Sequence, residues 1–438
     1  MIKRRVVVSG IGVVSPFGAG VAPFWENIAA GNSGARLIDS FDTINLPTKF
    51  AAPLPLSDQE LNNHVIDQKT LKTLSRAGKM AIVAAQESIA DSGIDFAKEK
   101  HFRVGTSMGA GGVGLWDSDH SGRLLDVLQS AIEREKGATI KSSGVWNQVL
   151  NSIHPLTPLR GLSNVPTAQI AIMASAMGNC QTITTACTSS AQAVGEAYRQ
   201  IGSDVAEIII AGGSDSMINA YGMISFNMVG VLSKNNENWY TASRPFDRRR
   251  DGFMVGEGGV VFILEELEHC RKRNGRAYAE VVGYASTNDA YRLTDEPPEA
   301  WGSIQAMQEA LSDAGISPKE VDYINAHGTG TKMNDKTETF AIKSVFGDAA
   351  YRIPVSSTKS MVGHLVAGAG AIEFAACVLA LEHQLIPPTI NYAEPDEECD
   401  LDYVPNHARE RELGVILSNS FGFGGQNACL IIKTIESP

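Results

Sequence analysis

Residues 181–201 read QTITTACTSSAQAVGEAYRQI, and residues 353–381 read IPVSSTKSMVGHLVAGAGAIEFAACVLAL. Each is an extended segment, a turn of small residues and an apolar helical pattern. The chain holds two further pairs of this kind. In the first half, RRVVVSGIG (4–12) reads as a strand, a helix ends in SIADSGI (88–94), and HFRVGTSMGAGG (101–112) reads as a strand and glycine-rich loop. In the second half, AEVVGYAST (279–287), ALSDAGI (310–316) and VDYINAHGTGT (321–331) follow in the same order. Shared order across several elements points to an internal duplication of an α/β unit. Equivalent loops of two such halves would meet at one interface.

The intervening elements fit that reading. SRAGKMAIVAAQESIADSGI (75–94) predicts a helix with Ala77, Met80, Ala81, Ala84, Ala85 and Ile89 on one face. AEIIIAGG (206–213) and GGVVFILEEL (258–267) predict buried strands. No low-complexity tract divides the halves, and we place them at 1–270 and 271–438. Residues 115–165, with Trp116, Trp146, Pro155 and Pro158, are expected to form an excursion from the core.

The composition narrows the class. The chain has 438 residues, 43% hydrophobic and 20% charged, which suits a large packed core. A net charge of −12 argues against nucleic acid as a partner. The apolar stretch 361–382 carries His364 and Glu373, so a membrane span is not expected. The N-terminal apolar run is short and glycine-broken and reads as a strand, not a leader. Six cysteines in a chain of this length suggest reduced thiols and a cytoplasmic location.

Cys187 lies where an extended segment meets a helix. The helix dipole there favours thiolate, and a free backbone N–H could support an oxyanion. A buried structural cysteine is an equal reading of that segment alone. His327 follows the strand VDYIN, and His364 lies between a strand and a helix with Lys359 five residues earlier. A lone histidine of either kind would ordinarily be structural. The duplication gathers all three loops at one interface, where one Cys with two His supports nucleophilic acyl chemistry. Glu373 sits among apolar residues and needs a partner, for which Lys359 is a candidate. NSFGFGGQNACLII (419–432) reads as a glycine-rich, phenylalanine-bearing loop entering a strand. No metal-ligand spacing and no nucleotide phosphate loop is present.

Together these segments resemble the β-ketoacyl-[acyl-carrier-protein] synthases, in particular the elongating type II fatty-acid and polyketide enzymes. The motifs run in family order: VVVSGIGVVSPFG, TTACTSS, IIIAGGSDSM, RPFDRRRDGFMVGEGG, AHGTGTKMNDKTE, SSTKSMVGHLVAGAGAIE and NSFGFGGQNA. The resemblance implies the thiolase fold, two duplicated α/β halves in a five-layered αβαβα structure. It implies Cys187 as the acyl-accepting nucleophile, His327 and His364 as the pair handling a malonyl thioester, and Lys359 as an electrostatic organiser. Glu373 and Asp335 would support the Lys/His network. Phe423 would be the gate residue whose N–H completes an oxyanion hole, with Phe421 packed beside it. Thr329 and Thr331 would hold the phosphopantetheine arm of an acyl carrier protein, the enzyme needing no cofactor of its own.

The resemblance further implies a dimer with an identical or a related subunit. Lys69, Lys72 and Arg76, at helical spacing in QKTLKTLSRAGK, lie near where the family docks its acidic carrier; a solvated charged face is the competing reading. Gly112 aligns with a position where housekeeping relatives carry a bulky residue limiting the acyl pocket, which points to a specialised fatty-acid, polyketide or polyene substrate. The chain departs from the family's pattern in HPLTPLRGLSNVP (154–166), in TKMND after His327 and at Gln426. A housekeeping elongation enzyme is the alternative. Other rivals are a thiolase with a second catalytic cysteine, a non-catalytic chain-length subunit and a cysteine hydrolase. The thiolase would need a cysteine in the GFGGQN loop, where none stands, and the chain-length subunit would be expected to lack Cys187.

Overall fold

The computed structural model describes residues 4–111, 147, 151 and 155–435. Among the described residues the main sheet has a run of ten strands, β1 Val6–Ser15, β2 Val104–Ala110, β3 Cys180–Ile183, β4 Ile208–Ser216, β5 Glu257–Glu266, β6 Ala279–Asn288, β7 Tyr323–Asn325, β8 Val355–Ser356, β9 Val415–Gly422 and β10 Gln426–Lys433, with the short strand Gly18–Ala19 paired to the end of β1. Their spatial order is β8-β7-β9-β10-β6-β1-β5-β4-β2-β3. The order is a palindrome. In β1–β5, β2 runs parallel to β3 and β4, and β5 runs antiparallel to β4 and β1. In β6–β10 the same relations recur between β7, β8 and β9, and between β10, β9 and β6. The seam is a short antiparallel pairing of β1 with β6, Val6↔Val281 to Val8↔Ala279. The duplication read from the sequence is therefore a duplication of topology.

Five helices complete the layers: α1 Arg76–Ser92, α2 Ser189–Gly202, α3 Trp301–Ala314, α4 Lys332–Phe346 and α5 Ala369–His383. α1 covers the outer face of the first half and α3 that of the second. The faces follow the apolar spacing: Met80, Ala81, Ala84 and Ala85 of α1 are buried. SIADSGI and ALSDAGI end these two helices alike, with Gly93 at φ 64° and Gly315 at φ 65° in the left-handed region. α2 and α5 lie back to back between the half-sheets, and α5 is apolar on all sides because it is buried on all sides. The stretch Val366–His383 is apolar and long enough to cross a membrane, but most of it lies inside the protein. This is the thiolase fold, in the layer sequence α, β, α, β, α.

The central pair approaches closely. A Cβ at Gly370 would lie 2.6 Å from Ala191 Cβ and 2.8 Å from Ala191 N. The obstacle is backbone, so the helices would have to separate. Gly370→Ala is expected to destabilise the protein by about 2 kcal/mol through overpacking, read as a lower denaturant midpoint.

Candidate active site

The half-sheets present loops at the C-terminal ends of their parallel strands, where α/β folds place their ligands. Cys187 follows β3, His327 follows β7, and Lys359 and His364 follow β8. Cys187 stands in a tight turn, Ala186–Thr188, that precedes α2. Its counterpart, Val366–Gly368, precedes α5. Both turns open on a non-glycine residue in the left-handed region, Ala186 at φ 50° and Val366 at φ 48°. A β-branched residue there is strained, and such strain persists only where the surroundings enforce it.

The sulfur is enclosed. Burial pushes the Cys187 thiol up to about 11, against the opposing pull of Lys359 and of the Phe423 backbone N–H, which donates toward the sulfur. The thiolate expected from the helix dipole is thus not the resting state. The intervening turn sets Cys187 before the helix proper, and desolvation outweighs the favourable charges there.

The two imidazoles meet edge to face, their ring centroids 5.4 Å apart. Lys359 Nζ lies 3.2 Å from His327 Nδ1 and donates to His327 O at 2.6 Å. Its third partner is Glu373, in a buried ion pair. Three acceptors around one nitrogen suit an ammonium with three protons. Val366 N–H donates to His364 Nδ1 at 3.2 Å. Both imidazoles are held well below their usual pKa, by burial first and by the Lys359 charge second. Neutral rings whose Nδ1 atoms accept hydrogen bonds carry their protons on Nε2. The site therefore holds two neutral Nε2–H donors.

Burial pushes Glu373 up to about 7, and Lys359 opposes it. Asp335 stands elsewhere than expected. Its carboxylate accepts from Phe246 N at 2.7 Å, Gly330 N at 3.0 Å and Asn334 Nδ2 at 3.1 Å, and faces buried Arg250 at 3.3 Å. It braces the Thr329–Thr331 loop and not the Lys/His pair. The carboxylate against His327 is Glu338, one turn on along α4, which accepts from His327 N at 2.8 Å and Gly328 N at 2.7 Å. The sequence reading passed over Glu338 although it closes the AHGTGTKMNDKTE motif. The i, i+3 spacing of Asp335 and Glu338 on a helix would have put both on one face.

One cavity of about 180 Å³ gathers most of the expected residues. Cys187, His327, His364, Thr329, Thr331, Phe421 and Phe423 line it, while Lys359, Glu373 and Asp335 stand behind the wall. Thr329 and Thr331 hydroxyls are paired at 3.0 Å, and Thr331 caps α4. Phe253, absent from the expectation, packs against the His364 ring with centroids 5.0 Å apart. Gly112 and nearly all of 115–154 lie outside the described residues. Cys429 is buried in the outer core of the second half, away from this wall. All six cysteines are unpaired thiols. Among the described residues no cluster suits a metal ion.

The helical row expected for Lys69, Lys72 and Arg76 does not form. Ser75 caps α1, so that helix starts at Arg76, and Lys72 lies in a separate turn, Thr70–Thr73. Arg76 turns inward and binds Glu257 and Asp58, each at 2.7 Å. Lys69 and Lys72 remain exposed.

This geometry has relatives. Residues 3–269 match the family description "Beta-ketoacyl synthase, N-terminal domain", and residues 278–393 match "Beta-ketoacyl synthase, C-terminal domain". The "3-oxoacyl-[acyl-carrier-protein] synthase 2" of Coxiella burnetii is 40% identical, over 99% of this chain and 100% of that protein. A solved structure described as a "type II PKS acyl-carrier protein in complex with its ketosynthase bound to the hexaketide" superposes with a TM-score of 0.87 at 32% identity, covering 99% of this chain and 100% of that one. "The ishigamide ketosynthase/chain length factor" superposes with a TM-score of 0.85 at 33% identity, with the same coverage. Matched in both halves and aligned with these proteins along almost its whole length, the chain belongs to the β-ketoacyl synthase family.

Proposed function

We propose that the protein carries out a decarboxylative Claisen condensation between an acyl group held on Cys187 and malonyl-acyl carrier protein. The observation that carries this reading is the pairing, in one cavity, of an enclosed cysteine with two neutral imidazoles that both present Nε2–H. The Cys187 sulfur attacks the carrier thioester, and its proton leaves with the carrier thiol. In the second half-reaction the malonyl carboxylate departs as carbon dioxide. The electron pair left behind forms an enolate whose oxygen accepts from His327 and His364. The enolate carbon attacks the acyl-Cys187 carbonyl, the carbon–sulfur bond breaks, and the Cys187 sulfur takes a proton from solvent. The product is a 3-oxoacyl carrier protein two carbons longer.

The backbone N–H groups of Cys187 and Phe423 serve as the oxyanion hole in this scheme, with Phe421 packed beside the gate. Thr329 and Thr331 hold the phosphopantetheine arm, which the carrier brings, so the enzyme requires no cofactor of its own. Lys69 and Lys72 contribute to carrier docking. The chain acts as a dimer in the cytoplasm, with itself or with a related subunit. The ketosynthase/chain length factor neighbour supports the second arrangement. The glycine at 112, where housekeeping relatives carry a bulky residue, favours a specialised acyl chain, of fatty-acid, polyketide or polyene type. Cys429 lies away from the cavity wall, which disfavours a second catalytic thiol.

The test is mass spectrometry of the protein with a panel of acyl carriers and malonyl-acyl carrier protein. Acylation confined to Cys187 and a product extended by two carbons are expected. Acylation at another cysteine, or hydrolysis with no extension, overturns the proposal. In the same panel Gly112→Ile is expected to shorten the longest chain accepted.

A further inference from the structure

Three carboxyl groups line the cavity in front of Cys187: Asp289, Asp295 and Glu296. Two are engaged. Asp289 accepts from Asn427 Nδ2 at 2.7 Å, and Asp295 pairs with Arg292 at 3.2 Å. Glu296 has no hydrogen-bond or ion-pair partner among the described residues. The segment bearing it is built into the site. Gly424 N donates to Leu293 O at 2.7 Å, Asp289 N to Gly425 O at 2.8 Å, and Trp301 Nε1 to Asp289 O at 2.7 Å. Glu296 thus hangs on the same hydrogen-bonded frame as the Phe423 loop.

The charged and titratable groups around it explain why it stays unpaired. On its own segment are Asp289, Asp295 and Arg292, the last already bound to Asp295. From α4, Asp335 and Glu338 add negative charge. Across the cavity stand Cys187, a thiol at rest, and the neutral His327 and His364. No cation among these is free to balance a carboxylate at Glu296. Burial and the repulsion of Glu338, Asp289 and Asp335 push its carboxyl up to about 8.

Resting on the condensation proposed above, the two substrates of this cavity differ in one respect that such a group can read. The acyl thioester is neutral there, whereas the malonyl thioester brings a carboxylate. We infer that Glu296 is a specificity-determining residue for the second substrate: as a neutral carboxyl it leaves the cavity open to the malonyl group, and as a carboxylate it excludes that group while leaving acyl transfer untouched. Like charges confined to one cavity repel, and Glu296, half-buried, is only partly screened by solvent.

The experiment separates the half-reactions, using octanoyl- and malonyl-acyl carrier protein with the full chain and its Glu296→Gln variant between pH 6.5 and 9. For the wild type, the KM for malonyl carrier is expected to rise by about tenfold from pH 7 to 9, one charge being gained across a pKa near 8. Octanoyl transfer to Cys187, followed by mass spectrometry, should stay within about twofold over the same range. The Gln variant should show no such rise. Equal pH dependence of KM in the two proteins overturns the inference. So does a parallel change in octanoyl transfer and malonyl KM in the wild type, because a charge-selective group cannot act on the neutral substrate. A wild type that acylates Cys187 but extends nothing at any pH overturns the condensation reading, and this inference with it.

Discussion

Cys187→Ala protein is expected to form no acyl-enzyme and to lose condensation by roughly six orders of magnitude, the scale seen when a nucleophile acting as part of a unit is removed. The loss should appear as a missing mass adduct with acyl carrier and as absent 3-oxo product. Folding should survive. The side chain is small and buried, and the segment is held by Thr185 N to Ser189 Oγ at 2.9 Å and Thr188 Oγ1 to Thr185 O at 2.9 Å, neither of which involves the sulfur. The variant keeps His327 and His364, so it should still bind malonyl carrier and release carbon dioxide slowly without a partner to attack. A variant that made extended product would remove Cys187 from the mechanism.

The second large effect is expected at Lys359. Lys359→Met leaves Glu373 buried without its cation, and breaking such a pair costs about 3–5 kcal/mol. The same change takes the donor from His327 Nδ1, so the proton is no longer held on Nε2 and the donor aimed at the enolate is lost. Condensation is expected to fall by about 10²–10³-fold, the scale of one missing oxyanion donor. The double variant Lys359→Met, Glu373→Leu separates the two losses. Apolar replacement of both partners of a buried pair is often close to neutral for stability, so the denaturant midpoint should recover while activity stays low. Recovery of both would reduce Lys359 to a packing role.

Much of this architecture was legible before any coordinates. The paired endings SIADSGI (88–94) and ALSDAGI (310–316) carry the duplication because the outer helix of each half closes on the same left-handed glycine. The apolar face of α1 was legible for the ordinary reason that burial selects residues at helical spacing. What escaped was relational. Asp335 and Glu338 stand one turn apart on α4, yet the first reaches Arg250 and the second His327, and only the docking angle of the helix decides which goes where. Arg76 looked like a surface cation because its partner, Glu257, is far away in sequence. The raised Cys187 thiol follows from enclosure, which no local spacing encodes.

The palindrome of strands has a last consequence at the atoms. Cys187 and Ala367 occupy equivalent places, the second residue of the turn before each central helix. Among the described residues the Cys187 amide has no acceptor, as the proposed oxyanion role requires. The Ala367 amide is occupied by the protein itself, donating to Asp215 Oδ2 at 3.1 Å, and Asp215 lies near the end of β4, the strand that mirrors β9 and its Phe423 loop. A duplicated chain inherits two sockets for one anion. Here the second is corked by a carboxylate of the protein's own, so under the proposed mechanism the twofold symmetry of the backbone leaves a single reactive pole.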